Sequence, residues 1–77
     1  MDTRLKQDEI DIGKNIRRIR LDKGIGQTEL VRMMQLQGIK MHREALVKIE
    51  RGIQHITASQ LRAIRDCLET TYDELLK

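Results

Sequence analysis

A chain of 77 residues buries only about 60% of the surface its unfolded form exposes, which leaves room for one small domain, and its single cysteine, Cys67, excludes an intramolecular disulfide and a cysteine-rich zinc site. With no proline, phenylalanine or tryptophan, one tyrosine and 35% charged residues, the composition favours packed amphipathic helices over a sheet, and no run nears the roughly 20 apolar residues of a membrane span. The net charge of +3 conceals an asymmetry, because residues 12–52 hold ten Lys/Arg against four Asp/Glu between two mildly acidic ends, a pattern suited either to one face for a polyanion or to ordinary solvated helices.

Residues 1–11 are polar and weakly periodic, and are expected to form a flexible arm or a frayed helical extension ahead of a domain at 12–77. Ile12, Ile16 and Ile19 fall four and then three apart, which puts them on one face of a first helix ending at Lys23-Gly24. A second helix is expected from Gln27, with Glu29 favouring the positive end of its dipole, Leu30, Val31 and Met34 inward, and Gly38 as its stop. A third is expected over about 42–51, with Ala45, Leu46 and Ile49 inward and Arg43, Glu44, Val47 and Lys48 outward. Thr57 and Gln60 have capping-box spacing before a fourth helix carrying Leu61, Ile64 and Leu68, and Thr71 and Glu74 repeat it before a short fifth. The expected fold class is all-α with five helices.

Two short helices joined by a glycine-containing turn, behind a basic first helix, are the ingredients of a helix-turn-helix. The segments IGKNIRRIRLDKGIGQTEL, ALVKIERG and TASQLRAIRDCLETTYDELL make the resemblance sharper: over about residues 12–76 the chain strongly resembles the phage repressor and Cro type of helix-turn-helix domain, with a lambda-repressor-like fold. The matching features are Gln27 opening helix 2, Ile49-Glu50-Arg51-Gly52 ending the recognition helix, and Asp73-Glu74-Leu75 near the end.

The resemblance implies a sequence-specific transcriptional regulator that binds double-stranded DNA. Gln27 and Thr28 would grip phosphate at the start of helix 2, a role that the unpaired amides and dipole of a helix N-terminus support, although ordinary capping explains the same residues. Lys40, His42, Arg51, Gln54 and His55 would supply further backbone contacts, with Gln54 and His55 holding phosphate more weakly than lysine. For base reading, Arg43 can donate bidentately to a guanine, Glu44 can accept from a cytosine amino group, Val47 can meet a thymine methyl, and Lys48 can reach a base or a phosphate. A surface ion pair between Glu44 and Lys48 is the alternative for those two. Glu50 would be the family's structural acid, paired with Arg20, unless Arg20 instead lies exposed on phosphate.

One short helix touches too few base pairs to discriminate a genome, so a homodimer is expected, with Tyr72, Leu75, Leu76 and the helix 4 surface as the candidate contact. No enzyme is expected: Cys67 lies on a helix patterned for burial, and His42 and His55 have neither nucleophile nor metal spacing, so no cofactor or metal is assigned. A cytoplasmic location is expected, from the lone cysteine and from the absence of a continuous apolar stretch behind a basic one near residue 1. An antitoxin or other protein-interaction module on the same fold, with a protein partner, is the alternative function.

The sequence departs from the family pattern in three places. Met34 and Leu46 stand twelve apart, more than is usual there, so either helix 2 is long or the segment from Gln35 to Met41 bulges, with Ile39 and Met41 available as anchors. Gly26 and His42 replace the usual hydroxyl caps, and Val31 replaces a usual alanine; weaker caps and a bulkier helix contact are expected.

Overall fold

In the computed structural model, which describes residues 4–5 and 11–77, Asp11 begins the helical array. Its carboxylate accepts from the Lys14 amide at 3.2 Å, satisfying one of the free N–H groups of α1 (Ile12–Asp22). The chain continues through α2 (Gln27–Leu36), α3 (Arg43–Glu50), α4 (Ala58–Cys67) and α5 (Tyr72–Leu75). A two-residue antiparallel pairing joins β1 (Arg4–Leu5) to β2 (Ile56–Thr57), with Arg4 opposite Thr57 and Leu5 opposite Ile56. Periodicity gave no sign of it, because two residues are too few to show an alternating pattern. The arm expected over residues 1–11 otherwise lies outside the described residues, apart from Asp11, which belongs to the cap of α1.

The five helices bury one face each. Ile12, Ile16 and Ile19 of α1 meet Leu30, Val31 and Met34 of α2, Leu46 and Ile49 of α3, and Leu61, Ile64, Cys67 and Leu68 from α4 and its end. Gly13 sits where α1 crosses the end of α3, and a β-carbon there would overlap the Ile49 carbonyl, so only glycine permits this approach. Cys67 is a core residue, as its helical position suggests; burial and then the adjacent Asp66 carboxylate push its thiol pKa up, which keeps it protonated and inert. Leu75, expected to be part of a self-association surface, is instead fully buried, while Tyr72 and Leu76 stay 37% exposed. Leu75 belongs to the hydrophobic core, and the Asn15 side-chain amide donates to the Leu75 and Lys77 carbonyls, fastening the chain end to α1.

Capping decides where the elements stop. Thr57 and Gln60 complete the reciprocal box, with Thr57 N–H donating to Gln60 at 3.0 Å and Gln60 N–H to the Thr57 hydroxyl at 3.2 Å. At α5 only half of the expected box forms: the Thr71 hydroxyl accepts from Glu74 N–H, but the Glu74 carboxylate turns to Lys77 at 3.1 Å. α1, α2 and α3 each end in a left-handed glycine, whereas α4 ends at Glu69 with φ of 51°. Thr70 N–H donates to the Arg65 carbonyl at 3.0 Å around it, the same loop that glycine closes elsewhere. A side chain in this region is strained by about 1 kcal/mol. Glu69→Gly is therefore expected to stabilise the protein slightly, by up to about 0.5 kcal/mol after the added freedom of the unfolded chain is deducted, and to raise Tm by a few degrees at most in a thermal melt.

The connection between α2 and α3 resolves the long spacing between Met34 and Leu46. α2 ends at Leu36 and residues 37–42 bulge, held by Gln35, whose side-chain amide donates to the Met41 carbonyl at 2.9 Å. Met41 is buried and Ile39 packs against the core, so the longer turn is anchored by its own apolar residues.

Candidate nucleic-acid interface

The site is built around a buried ion pair. Arg20 Nε donates to Glu50 Oε2 at 2.8 Å and Nη2 to Oε1 at 2.9 Å, a two-pronged contact whose side chains are only 7% and 2% exposed. The third guanidinium nitrogen, Nη1, donates to the Ile25 carbonyl at 2.9 Å, and Gln27 Nε2 donates to Glu50 Oε1 at 3.1 Å. The Glu50 carboxylate, at the end of α3, thus joins the last turn of α1 to the first residue of α2, while the Arg20 guanidinium also holds the turn between them. Among the described residues no buried side-chain polar atom is left without a partner, so the network meets the condition under which buried charge is tolerated.

Gln27 is turned inward by this arrangement. Its expected grip on phosphate would have to come from its backbone, since its side-chain amide is engaged with Glu50. Gly26 offers α2 no side-chain cap, and the first intrahelical amide bond is Leu30 N–H to the Gly26 carbonyl, so the amides of Gln27, Thr28 and Glu29 lie ahead of the helical ladder beside the exposed Thr28 side chain. His42 likewise gives α3 no side-chain cap, consistent with the absence of hydroxyl residues at both positions.

On α3, Arg43, Glu44 and Lys48 are exposed and Val47 is half-buried, all on the face opposite Leu46 and Ile49. Glu44 and Lys48 form no ion pair, and among the described residues neither they nor Arg43 and Arg51 make a side-chain hydrogen bond or salt bridge. Arg43, Glu44, Val47, Lys48 and Arg51 line one shallow cleft of about 210 Å³, together with Ile53, which sequence reasoning missed. Lys40 and His42 flank a second hollow of about 450 Å³ at the α2–α3 turn, and Gln54 and His55 a third of about 200 Å³ with Thr57 and Gln60.

The basic character of residues 12–52 is divided among faces rather than gathered on one. Arg20 is consumed by Glu50, and Lys14, Arg17 and Arg18 surround a hollow on α1 with Leu21 and Asp22 that shares no residue with the α3 cleft. Charge along a sequence cannot show this, because helical periodicity sends neighbouring cations to different sides. Among the described residues no group of three or more His, Cys, Asp or Glu is placed to hold a metal, and no helix is long and apolar enough to cross a membrane.

An amphipathic α2, a turn and an α3 with its polar face outward, tied to α1 through Arg20 and Glu50, have the arrangement of a helix-turn-helix fold. Solved structures of restriction-modification controller proteins have the same fold. C.AhdI from Aeromonas hydrophila matches with a TM-score of 0.74 over 86% of this chain and 92% of its own, at 21% identity. C.Esp1396I matches at 27% identity with a TM-score of 0.68, over 87% of this chain and 92% of its own, both alone and as a tetramer in complex with its natural 35 base-pair operator. No protein-family model matches the chain, and no curated protein matches it in sequence.

Proposed function

We infer that this chain is a sequence-specific DNA-binding transcriptional regulator that inserts the outer face of α3 into a major groove and binds as a homodimer. The observation that carries this reading is the α3 face itself, where Arg43, Glu44, Val47 and Lys48 lie side by side, free of ion pairs among the described residues, on a helix whose far end is clamped by a buried salt bridge. A rigid mount matters because base reading requires donors and acceptors at fixed positions relative to the groove.

In this reading Arg43 and Lys48 donate to base edges, Glu44 accepts from a cytosine amino group and Val47 lies against a thymine methyl. Thr28 and the amides of Gln27 and Thr28 hold one phosphate strand, and Lys40, His42, Arg51, Gln54 and His55 hold phosphates around α3. α3 has eight residues and is about 12 Å long, too short to specify a site alone, so two copies reading half-sites about 34 Å apart supply the discrimination. The operator complex of C.Esp1396I supports both DNA and assembly as expectations for this chain. The exposed Tyr72 and Leu76 remain the apolar residues of the candidate self-contact. Regulation in the cytoplasm without catalysis is the corresponding physiological role.

Anisotropy titrations with labelled duplex at several salt concentrations test the reading. The logarithm of affinity is expected to fall linearly with the logarithm of salt, with a slope of about −0.9 for each phosphate contacted. A flat salt response would overturn it in favour of the protein-interaction module.

A further inference from the structure

We propose that Ile53 is a specificity-determining residue which, with Val47, forms a pocket on the α3 face for the 5-methyl group of a thymine. The inference rests on the DNA-binding reading above and adds a residue from beyond the recognition helix.

Ile53 is a large aliphatic side chain that remains 63% exposed. Its position is fixed by the backbone: Ile53 N–H donates to the Lys48 carbonyl and Gly52 N–H to the Ile49 carbonyl, both at 3.0 Å, around Gly52 with φ of 77°. A helix ending of this kind often folds the residue after the glycine back onto the last turn, where apolar contact covers it. Here the loop closes but the cover is incomplete, and the result is a cleft of about 210 Å³ with Val47 and Ile53 as its branched aliphatic walls and Arg43, Glu44, Lys48 and Arg51 around them.

An apolar cleft bordered by three cations suits an occupant that offers an apolar group within a strongly negative surround. A DNA major groove offers one such group on its base edges, the thymine methyl, flanked by phosphates that the cations would meet. Val47 alone gives one wall for that methyl. Ile53 supplies the second, so that the methyl is enclosed rather than merely touched, and only enclosure removes enough apolar surface from water to discriminate.

The test uses the full chain and a duplex obtained by selection against it, with each thymine replaced in turn by deoxyuridine, which lacks only the methyl. At one thymine per half-site, affinity is expected to fall about fourfold for the wild type, as burial of one methyl-sized group implies. Ile53→Ala is expected to bind the thymine duplex about fourfold or more weakly and to be indifferent to deoxyuridine at that position. Circular dichroism should show the variant folded, since the side chain is largely exposed. An unchanged affinity for every deoxyuridine duplex, or an equal deoxyuridine penalty in wild type and variant, would overturn the proposal while leaving DNA binding intact. Failure of the wild type to select any duplex would instead overturn the reading on which it rests.

Discussion

Replacing Glu50 with alanine is expected to remove about 3 to 5 kcal/mol of stability, a large share of the roughly 4 to 12 kcal/mol available to a domain of this size. The Arg20 guanidinium, whose side chain is 7% exposed beside Glu50, would lose the acceptor for two of its nitrogens, and Gln27 would lose its acceptor. Arg20→Ala should cost a comparable amount by stranding the Glu50 carboxylate, whose side chain is 2% exposed. The double variant Arg20→Met, Glu50→Leu removes both charges and fills similar volume, so it should recover most of the loss. Urea unfolding followed by circular dichroism distinguishes the outcomes. Single variants that lose less than about 1 kcal/mol would mean the pair behaves as if solvated and does not hold α1, α2 and α3 together.

Arg43→Ala is expected to weaken binding to a selected duplex by about 1 to 3 kcal/mol, roughly 5- to 150-fold, and to relax preference at one base pair per half-site. Arg43 is the first residue of α3, where a recognition helix meets base edges, and no salt bridge in the described structure holds its guanidinium away from them. Arg51, one residue past the last turn, is assigned a phosphate under the proposed function, so Arg51→Ala should weaken binding to all duplexes alike and lower the salt slope by about one per protomer. Competition titrations with matched and scrambled duplexes separate the two. Equal effects of both substitutions on both duplexes would contradict the assigned division between base and phosphate.

The helices were legible because their determinants are local. Ile12, Ile16 and Ile19, the Thr57 and Gln60 box and the terminal glycines act within a turn or two of chain, and α1 to α5 begin and end close to where those signals stand. The Arg20 and Glu50 contact spans thirty residues, and only the resemblance to a known domain type pointed to it. The inward turn of the Gln27 side chain could not be read, because it depends on where a carboxylate from another helix arrives. Leu75 was misassigned to the surface because it is buried by packing into a core built from residues distant in sequence, with Asn15, sixty residues away, holding its carbonyl. Ile53 was passed over since it follows the helix-ending glycine, where periodic patterns stop, and its exposure is visible only once the loop is folded.

Selection of bound duplexes from a random-sequence pool tests most directly whether the α3 face enters a major groove. The wild-type chain should enrich a motif of two related half-sites with centres about 10 base pairs or a multiple apart, and the combined Arg43→Ala, Lys48→Ala variant should lose that motif while staying folded. Enrichment of no motif by the wild type, or of the same motif by the variant, would contradict the assignment.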